Sequence, residues 1–153
     1  MASTPHDAYL ESRILAADPL ELVRILYRVA IDRVRETREH LESGDVAGRA
    51  ASMSAASQAV AELSNALDPE AGGEISRRLA SLYNYIQGRL VDANYHQRVE
   101  PLNEVLGLLS TLAEAWQQVA IDSPPPAAAA LGHPYLEDRP AGTPEYAGQS
   151  WSA

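Results

Sequence analysis

The spacing of apolar residues constrains the fold of this chain more than any other feature. In four successive stretches they recur every three or four positions, as they do along one face of an amphipathic α-helix. The clearest stretch lies between Asp18 and Ser43, where Arg and Glu occupy the opposite face. Its apolar stripe consists of Leu22, Val23, Leu26, Ala30, Val34 and Leu41. The pattern predicts an all-α protein.

Three further stretches show the same period. The second stripe consists of Val46, Ala50, Met53, Ser57, Val60, Ser64 and Leu67. The third consists of Ile75, Leu79, Leu82, Ile86, Leu90 and Ala93. The fourth consists of Leu102, Val105, Leu109, Leu112, Trp116 and Val119. Because only short segments separate the four stripes, they predict an antiparallel up-down four-helix bundle.

Capping and turn residues divide the chain into segments. Asp18 can cap a helix whose first position is Pro19, and Gly44 can end that helix. The four helices are predicted at about 18–43, 45–67, 73–94 and 99–121, which together form a bundle over 18–121. The short N-terminal segment, 1–17, is predicted to form an extra helix or a cap on the bundle.

The composition changes after Asp122. Pro124-Pro125-Pro126 and four alanines are followed by a stretch rich in Gly, Pro, Ser and acidic residues. Such a segment buries too little apolar surface to offset the entropy lost on ordering, so 122–153 is predicted to be a disordered tail. Its isolated aromatic residues leave two interpretations open, a solvated spacer or a short docking element.

Charge and hydropathy exclude two classes of partner. The net charge is −9 and the isoelectric point is about 4.8, the wrong sign for binding nucleic-acid phosphates or an anionic membrane surface. No stretch approaches the roughly 20 apolar residues of a membrane-spanning helix. We therefore expect no nucleic-acid partner and no membrane insertion. The absence of cysteine is typical of a protein of a reducing cytoplasm.

The sequence offers no catalytic or metal-binding constellation. It has no nucleophile elbow and no phosphate-binding loop, and Cys is absent. The four His residues are scattered, and no pair has the three- or four-residue spacing of shared metal ligands. The prediction is a protein that is not an enzyme, with no cofactor and no metal.

Some apolar residues lie beside the stripes. Ile25 and Val29 flank the first stripe, Tyr83 and Tyr85 flank the third, and Leu108 flanks the fourth. One interpretation is a wide stripe, since a bundle helix buries three to four residues in every two turns. The other is a second apolar surface that binds a partner protein. The residues alone leave both open.

The order and spacing of several motifs resemble the FliS family of flagellar secretion chaperones over Tyr9 to Ala120. The motifs are Ala17-Asp18-Pro19-Leu20-Glu21-Leu22-Val23, Leu26-Tyr27, Leu67-Asp68, Gly72-Gly73-Glu74-Ile75, Leu82-Tyr83-Asn84-Tyr85, Arg89-Leu90, Ala93-Asn94, and Gly107-Leu108-Leu109 through Ala115-Trp116. No single motif is specific, because Leu and Tyr at helical spacing are common in helix cores. The complete order is specific.

The resemblance implies a cytosolic export chaperone. Such a protein binds the disordered C-terminal segment of flagellin, prevents premature polymerisation and delivers flagellin to the flagellar type III export apparatus. It also implies that Tyr9 contacts the export-gate protein FlhA. The flagellin groove is predicted to comprise Ile25, Val29, Leu82, Tyr83, Tyr85, Ile86, Arg89, Leu90 and Asn94. We expect a monomer or a weak homodimer; the alternative function is a homodimeric scaffold or regulatory module whose tail tethers another molecule.

Overall fold

The structure, a computed structural model, describes residues 4–9 and 18–122. The regular secondary structure in these ranges is α-helix. Residues 5–9 are helical, and four long helices follow. They are α1 (Pro19–Ser43), α2 (Val46–Asn65), α3 (Pro69–His96) and α4 (Glu100–Asp122). No β-strand occurs in the described ranges, so the all-α prediction is confirmed. The predicted tail, apart from Asp122, lies outside them.

The capping residues act at the first two helices as predicted. The Asp18 carboxylate accepts the Glu21 N–H at 2.8 Å, which satisfies one of the free donors in the first turn of α1. Gly44 ends α1 in the left-handed conformation, with φ of 74°. Asp45 then accepts the Gly48 N–H at 2.9 Å and starts α2. The connection between α1 and α2 is therefore tight.

The bounds of α3 differ from the predicted 73–94. The helix begins at Pro69, because the Asp68 carboxylate caps it by accepting the N–H groups of Glu70 and Ala71 at 3.0 Å. Gly73 lies inside α3 as a kink, with φ of 52° and ψ of −123°, a conformation that essentially only glycine adopts. The helix ends at His96, and Gln97 follows it in the left-handed conformation with φ of 52°.

The helices pack as neighbours around one core. α1 packs against α2 and α4, and α3 packs against the same two helices. Arg24 donates to the carbonyl of Trp116, and Arg38 donates to Asn103, so the start of α1 lies beside the end of α4 and the reverse. These two helices are therefore antiparallel. The complete up-down order stays a prediction, which these neighbour relations support.

The core contains apolar residues from all four helices. The largest fully buried side chains are Tyr27, Tyr83, Leu63, Ile86, Leu90, Leu102, Leu109, Val23, Val34, Val60, Val105 and Thr37. The predicted stripe of α2 is wrong at its start, because Val46 and Ala50 are exposed. The buried residues of α2 are Ser52, Met53, Ala56, Ala59, Val60 and Leu63, so the prediction holds at Met53 and Val60. Ala and Ser bury little area, so their spacing defines the inner face weakly.

The ion pairs along α1 do not follow the i,i+4 spacing of its charged residues. Arg28–Asp32, Arg35–Glu39 and Arg38–Glu42 had the i,i+4 spacing that favours such pairs. Within the described part, Arg35 instead lies 3.5 Å from Asp32, and Arg33 lies 2.7 Å from Glu36. All these groups are largely exposed, so each pair contributes at most about 1 kcal/mol. The charges mark an outer face of the bundle.

Candidate functional site

The third helix, α3, carries large apolar residues on two faces. On its inner face Tyr83, Ile86, Leu90 and Ala93 are buried in the core. On its other side Tyr85, Val91 and Tyr95 are 48%, 66% and 81% exposed. With Ile75, these three make up four of the six large exposed hydrophobic residues in the described part of the chain. Such a concentration on one helix is typical of a protein-binding surface.

We define the outer face of α3 by its exposed residues Ser81, Asn84, Tyr85, Gly88, Val91 and Tyr95. None of them is charged, and from Ser81 to Tyr95 they extend over about 21 Å of helix. A Cβ atom added at Gly88 would meet no atom within 4 Å, so the middle of the face is open to solvent. A second apolar segment could lie along such a face.

A polar network borders the outer face on the side of α4. The Tyr85 hydroxyl donates to Glu104, and Arg89 donates to the same carboxylate at 2.8 Å. Arg89 also donates to Asp92 at 2.6 Å. The hydrogen bond from Tyr85, and then Arg89, lowers the pKa of Glu104, and the same hydrogen bond raises the pKa of Tyr85. The network ties α3 to α4 and leaves the Tyr85 ring accessible.

The N-terminal residues 4–9 include a short helix at 5–9. The pKa of Asp7 is lowered, chiefly by hydrogen bonds from Thr4 and to a smaller extent by the charges of His6 and Arg33. Tyr9 in this segment is 59% exposed. The predicted extra helix is present at 5–9, and its action as a cap stays a prediction.

Comparison with known proteins assigns the chain to a family. The family described as flagellar protein FliS matches residues 1–123. The chain belongs to the FliS family. It is 38% identical over 112 residues to the flagellar secretion chaperone FliS of Salmonella typhimurium, covering 72% of this chain and 83% of that protein. It is 29% identical to FliSB of Pseudomonas aeruginosa, covering 72% and 88%, and 28% identical to FliS of Bacillus subtilis, covering 74% and 84%.

The FliS relatives are named for a chaperone function, which is a binding function without catalysis. In the described part of this chain, no group of three or more His, Cys, Asp or Glu residues could hold a metal ion. No helix in the same part is long and apolar enough to cross a membrane.

The nine predicted groove residues fall into three classes of burial. Tyr85 and Asn94 are exposed. Val29, Leu82 and Arg89 are half-buried. Ile25, Tyr83, Ile86 and Leu90 are buried. The structure therefore brings Tyr85 and Arg89 together at the edge of α3, while Tyr83, Ile86 and Leu90 contribute to the core of this FliS-family bundle. The binding roles of all nine stay predictions.

Ile25 and Val29 lie on a different helix from the other seven. Val29 packs against the core cluster, whereas Ile25 is 7% exposed and lies outside that cluster. Both belong to the face of α1 that also carries Arg33. The predicted set therefore covers two separate surfaces of the FliS-family bundle.

Two exposed residues were missed by the sequence analysis. Val91 and Tyr95 lie four residues apart on α3 and off its core stripe. The reasoning that singled out Tyr85 as a surplus apolar residue applies to them equally. The criterion that finds them is an apolar residue on the face of a helix opposite to its core stripe.

Proposed function

We propose that this chain is a cytoplasmic export chaperone for flagellin. It binds the disordered C-terminal segment of flagellin, keeps that segment from polymerising and delivers it to the flagellar type III export apparatus. Membership of the FliS family, whose relatives are called flagellar secretion chaperones, supports the proposal. The observation that carries it is the uncharged outer face of α3 with exposed Tyr85, Val91 and Tyr95.

The chemistry of this face fits such a client. A segment that self-assembles through an apolar stripe is kept apart from its copies when another apolar surface covers the stripe. The client loses conformational entropy as it orders, so the surface must contribute substantial apolar burial. Each large side chain contributes roughly 1.5–3 kcal/mol when an exposed position becomes fully buried. Tyr85, Val91 and Tyr95 together supply a gain of that kind.

The predicted groove residues take graded roles in this proposal. The Tyr85 ring contacts the client directly, and the half-buried Leu82 and Val29 contribute at the edges of two surfaces. Arg89 and Asn94 interact with polar groups at the end of the client, Arg89 in competition with Glu104. Tyr83, Ile86 and Leu90 act from inside, because their packing fixes the position of the outer face. Ile25 is buried, so it contacts the client only after a rearrangement that exposes its side chain.

Delivery requires a second contact, and the N-terminal segment offers one. Tyr9 is exposed on a helical segment, as docking on the gate protein FlhA would need. Tyr9 and the outer face of α3 belong to different helical elements. Client binding and gate docking could then occur together.

A calorimetric titration with a synthetic peptide of the flagellin C-terminal segment tests the proposal. Tyr95→Ala removes the most exposed apolar side chain of the outer face, and we expect the affinity for the peptide to fall roughly tenfold or more. Val46→Ala is the control, because Val46 is also exposed but lies at the start of α2. Failure of the unmodified chain to bind the peptide would contradict the proposal.

The oligomeric state separates this function from the alternative scaffold. We expect light scattering of the full chain to show a monomer or a weak homodimer whose size changes when the peptide is added. A tight dimer that ignores the peptide would favour the homodimeric scaffold instead.

A further inference from the structure

A buried polar cluster joins three helices inside the core. The Tyr27 hydroxyl on α1 lies 2.5 Å from the Tyr83 hydroxyl on α3, and the Trp116 indole on α4 donates to Tyr27 at 3.1 Å. The two Tyr rings are 6.4 Å apart and tilted by 56°, so they meet through their hydroxyl ends. Tyr27 is 0%, Tyr83 1% and Trp116 5% exposed. The cluster has no access to bulk solvent.

The cluster has one more donor hydrogen than it can place. Its donors are the Trp116 N–H and the two O–H groups, and its acceptors are the two hydroxyl oxygens. If Tyr27 donates to Tyr83, the Tyr83 hydrogen lacks an acceptor. If Tyr83 donates to Tyr27, the Tyr27 hydrogen lacks one. No other acceptor in the described ranges lies within hydrogen-bond distance of either hydroxyl.

Ionisation does not remove the surplus. Burial raises the pKa of Tyr27 above its ordinary value, and burial followed by the neighbouring Tyr27 raises the pKa of Tyr83. Both hydroxyls therefore keep their hydrogens at any physiological pH. A buried donor without an acceptor is rare in folded proteins, because the group loses its bonds to water without replacement.

A second buried cluster shows that this surplus is specific. Thr37 donates to the carbonyl of Arg33 at 2.8 Å, and Ser52 donates to the carbonyl of Gly48 at 2.9 Å. Ser and Thr hydroxyls reach a carbonyl one turn back on their own helix, so every hydrogen in that cluster has an acceptor. A Tyr hydroxyl stands at the end of a long rigid ring and cannot reach its own helix backbone.

Another unpartnered donor lies near Trp116. Arg24 places one guanidinium nitrogen 3.4 Å from the Trp116 carbonyl, while its buried Nε has no acceptor in the described part of the chain. The Arg24 Nε–H and the surplus hydroxyl hydrogen are thus two buried donors without an acceptor in the described part of the chain.

We propose that the cluster of Tyr27, Tyr83 and Trp116 binds one internal water molecule, whose oxygen accepts the surplus hydroxyl hydrogen. Water is the ligand that fits, because it accepts a hydrogen bond and also donates to the free lone pairs of the hydroxyl oxygens. Folded proteins hold about one buried water for every 27 residues, and such waters bond to buried polar groups that have no other partner. The site makes the contact between α1, α3 and α4 partly polar.

A high-resolution crystal structure of the full chain tests the site directly. The expected result is a single ordered water about 2.7–3.0 Å from the Tyr27 or the Tyr83 hydroxyl oxygen, with none at the Thr37–Ser52 cluster. A Tyr hydroxyl bonded to a protein carbonyl, with no water beside either Tyr, would overturn the proposal.

Water relaxation dispersion tests the site in solution, where long-lived internal waters are counted. Tyr83→Phe removes one partner of the water, so its residence time should shorten by about fivefold, the equivalent of one hydrogen bond. Thr37→Val is the matched control and should leave the residence time and the number of waters unchanged. An identical residence time in Tyr83→Phe and the unmodified chain would contradict the assignment.

Discussion

The two faces of α3 carry similar residues but differ in their surroundings, since the inner face packs in the core and the outer face is exposed. Leu90 and Val91 are adjacent in sequence, yet Leu90 is fully buried and Val91 is 66% exposed. Tyr83 and Tyr85 differ in the same way, since one hydroxyl bonds inside the core and the other bonds to Glu104 at the surface. Stability is concentrated on the inner face, and partner binding is assigned to the outer face. Each prediction below compares positions that differ in this respect.

The largest effect is expected from Leu90. Leu90→Ala leaves a cavity in the centre of the bundle and should lower the free energy of unfolding by about 2–5 kcal/mol. Val91→Ala shortens an exposed isopropyl group to a methyl group and should change the free energy of unfolding by less than about 0.5 kcal/mol. Denaturant titration of both variants measures the difference. Equal losses would mean that the two faces are not distinct.

The next effect concerns two glycines of α3. Gly73→Ala places a Cβ at φ of 52° and ψ of −123°, and should destabilise the protein by about 1–3 kcal/mol. Gly88→Ala adds a methyl group to the open outer face, and should stabilise the helix by about 0.5–1 kcal/mol. Thermal unfolding of the two variants should shift in opposite directions. A gain of stability in Gly73→Ala would show that the kink is not imposed by the backbone.

A smaller effect separates the two core tyrosines. Tyr27→Phe removes both hydrogen bonds of the Tyr27 hydroxyl and leaves the Trp116 N–H without its acceptor. Tyr83→Phe removes one hydrogen bond and leaves Trp116 bonded to Tyr27. At about 1 kcal/mol for each bond, Tyr27→Phe should be the more destabilising by about 1–2 kcal/mol. Urea unfolding of the pair measures this; the reverse order would contradict the assignment of Tyr27 as the acceptor.

The smallest effect on stability comes from Glu104, at the border of the two faces. Its lowered pKa means that its contribution is present above the ordinary carboxyl pKa and is lost as pH falls through the lower folded value. The stability difference between the unmodified chain and Glu104→Gln should therefore shrink between pH 7 and pH 3. Glu114→Gln, an exposed change elsewhere on α4, is the control. A difference that grows as pH falls would contradict the network.

The sequence predicted the helices well where their ends have a chemical cause. Asp18 and Pro19 take positions that suit only the start of a helix, and Gly44 takes one that suits only its end, so the expected 18–43 lies close to the α1 of the structure, Pro19–Ser43. The same Asp-Pro pair at Asp68-Pro69 starts α3, but the glycines that follow it are helix breakers and concealed that start. A glycine at positive φ can kink a helix without ending it, and the spacing of the apolar residues does not distinguish the two cases.

The candidate site was harder to predict. A helical period distinguishes the inner from the outer face of a helix only when the two faces differ in polarity. In α3 both faces carry large apolar residues. Tyr83 and Tyr85 were both counted as surplus residues, whereas a pairing across the core with Tyr27, 56 positions earlier, decides that Tyr83 is internal. Contacts of that sequence separation leave no trace in the local pattern. The pattern of α2 is ambiguous for a different reason, because Ala and Ser fit either an inner or an outer face of a helix.

Calorimetry of the flagellin C-terminal peptide against two matched valine variants tests the central claim most directly. Val91 and Val46 are 66% and 63% exposed, and only Val91 belongs to the outer face of α3. The account predicts that Val91→Gln weakens peptide binding by about tenfold while Val46→Gln leaves it unchanged, with both variants as stable as the unmodified chain. Equal affinities in the two variants would contradict the assignment of the outer face of α3 as the client-binding surface.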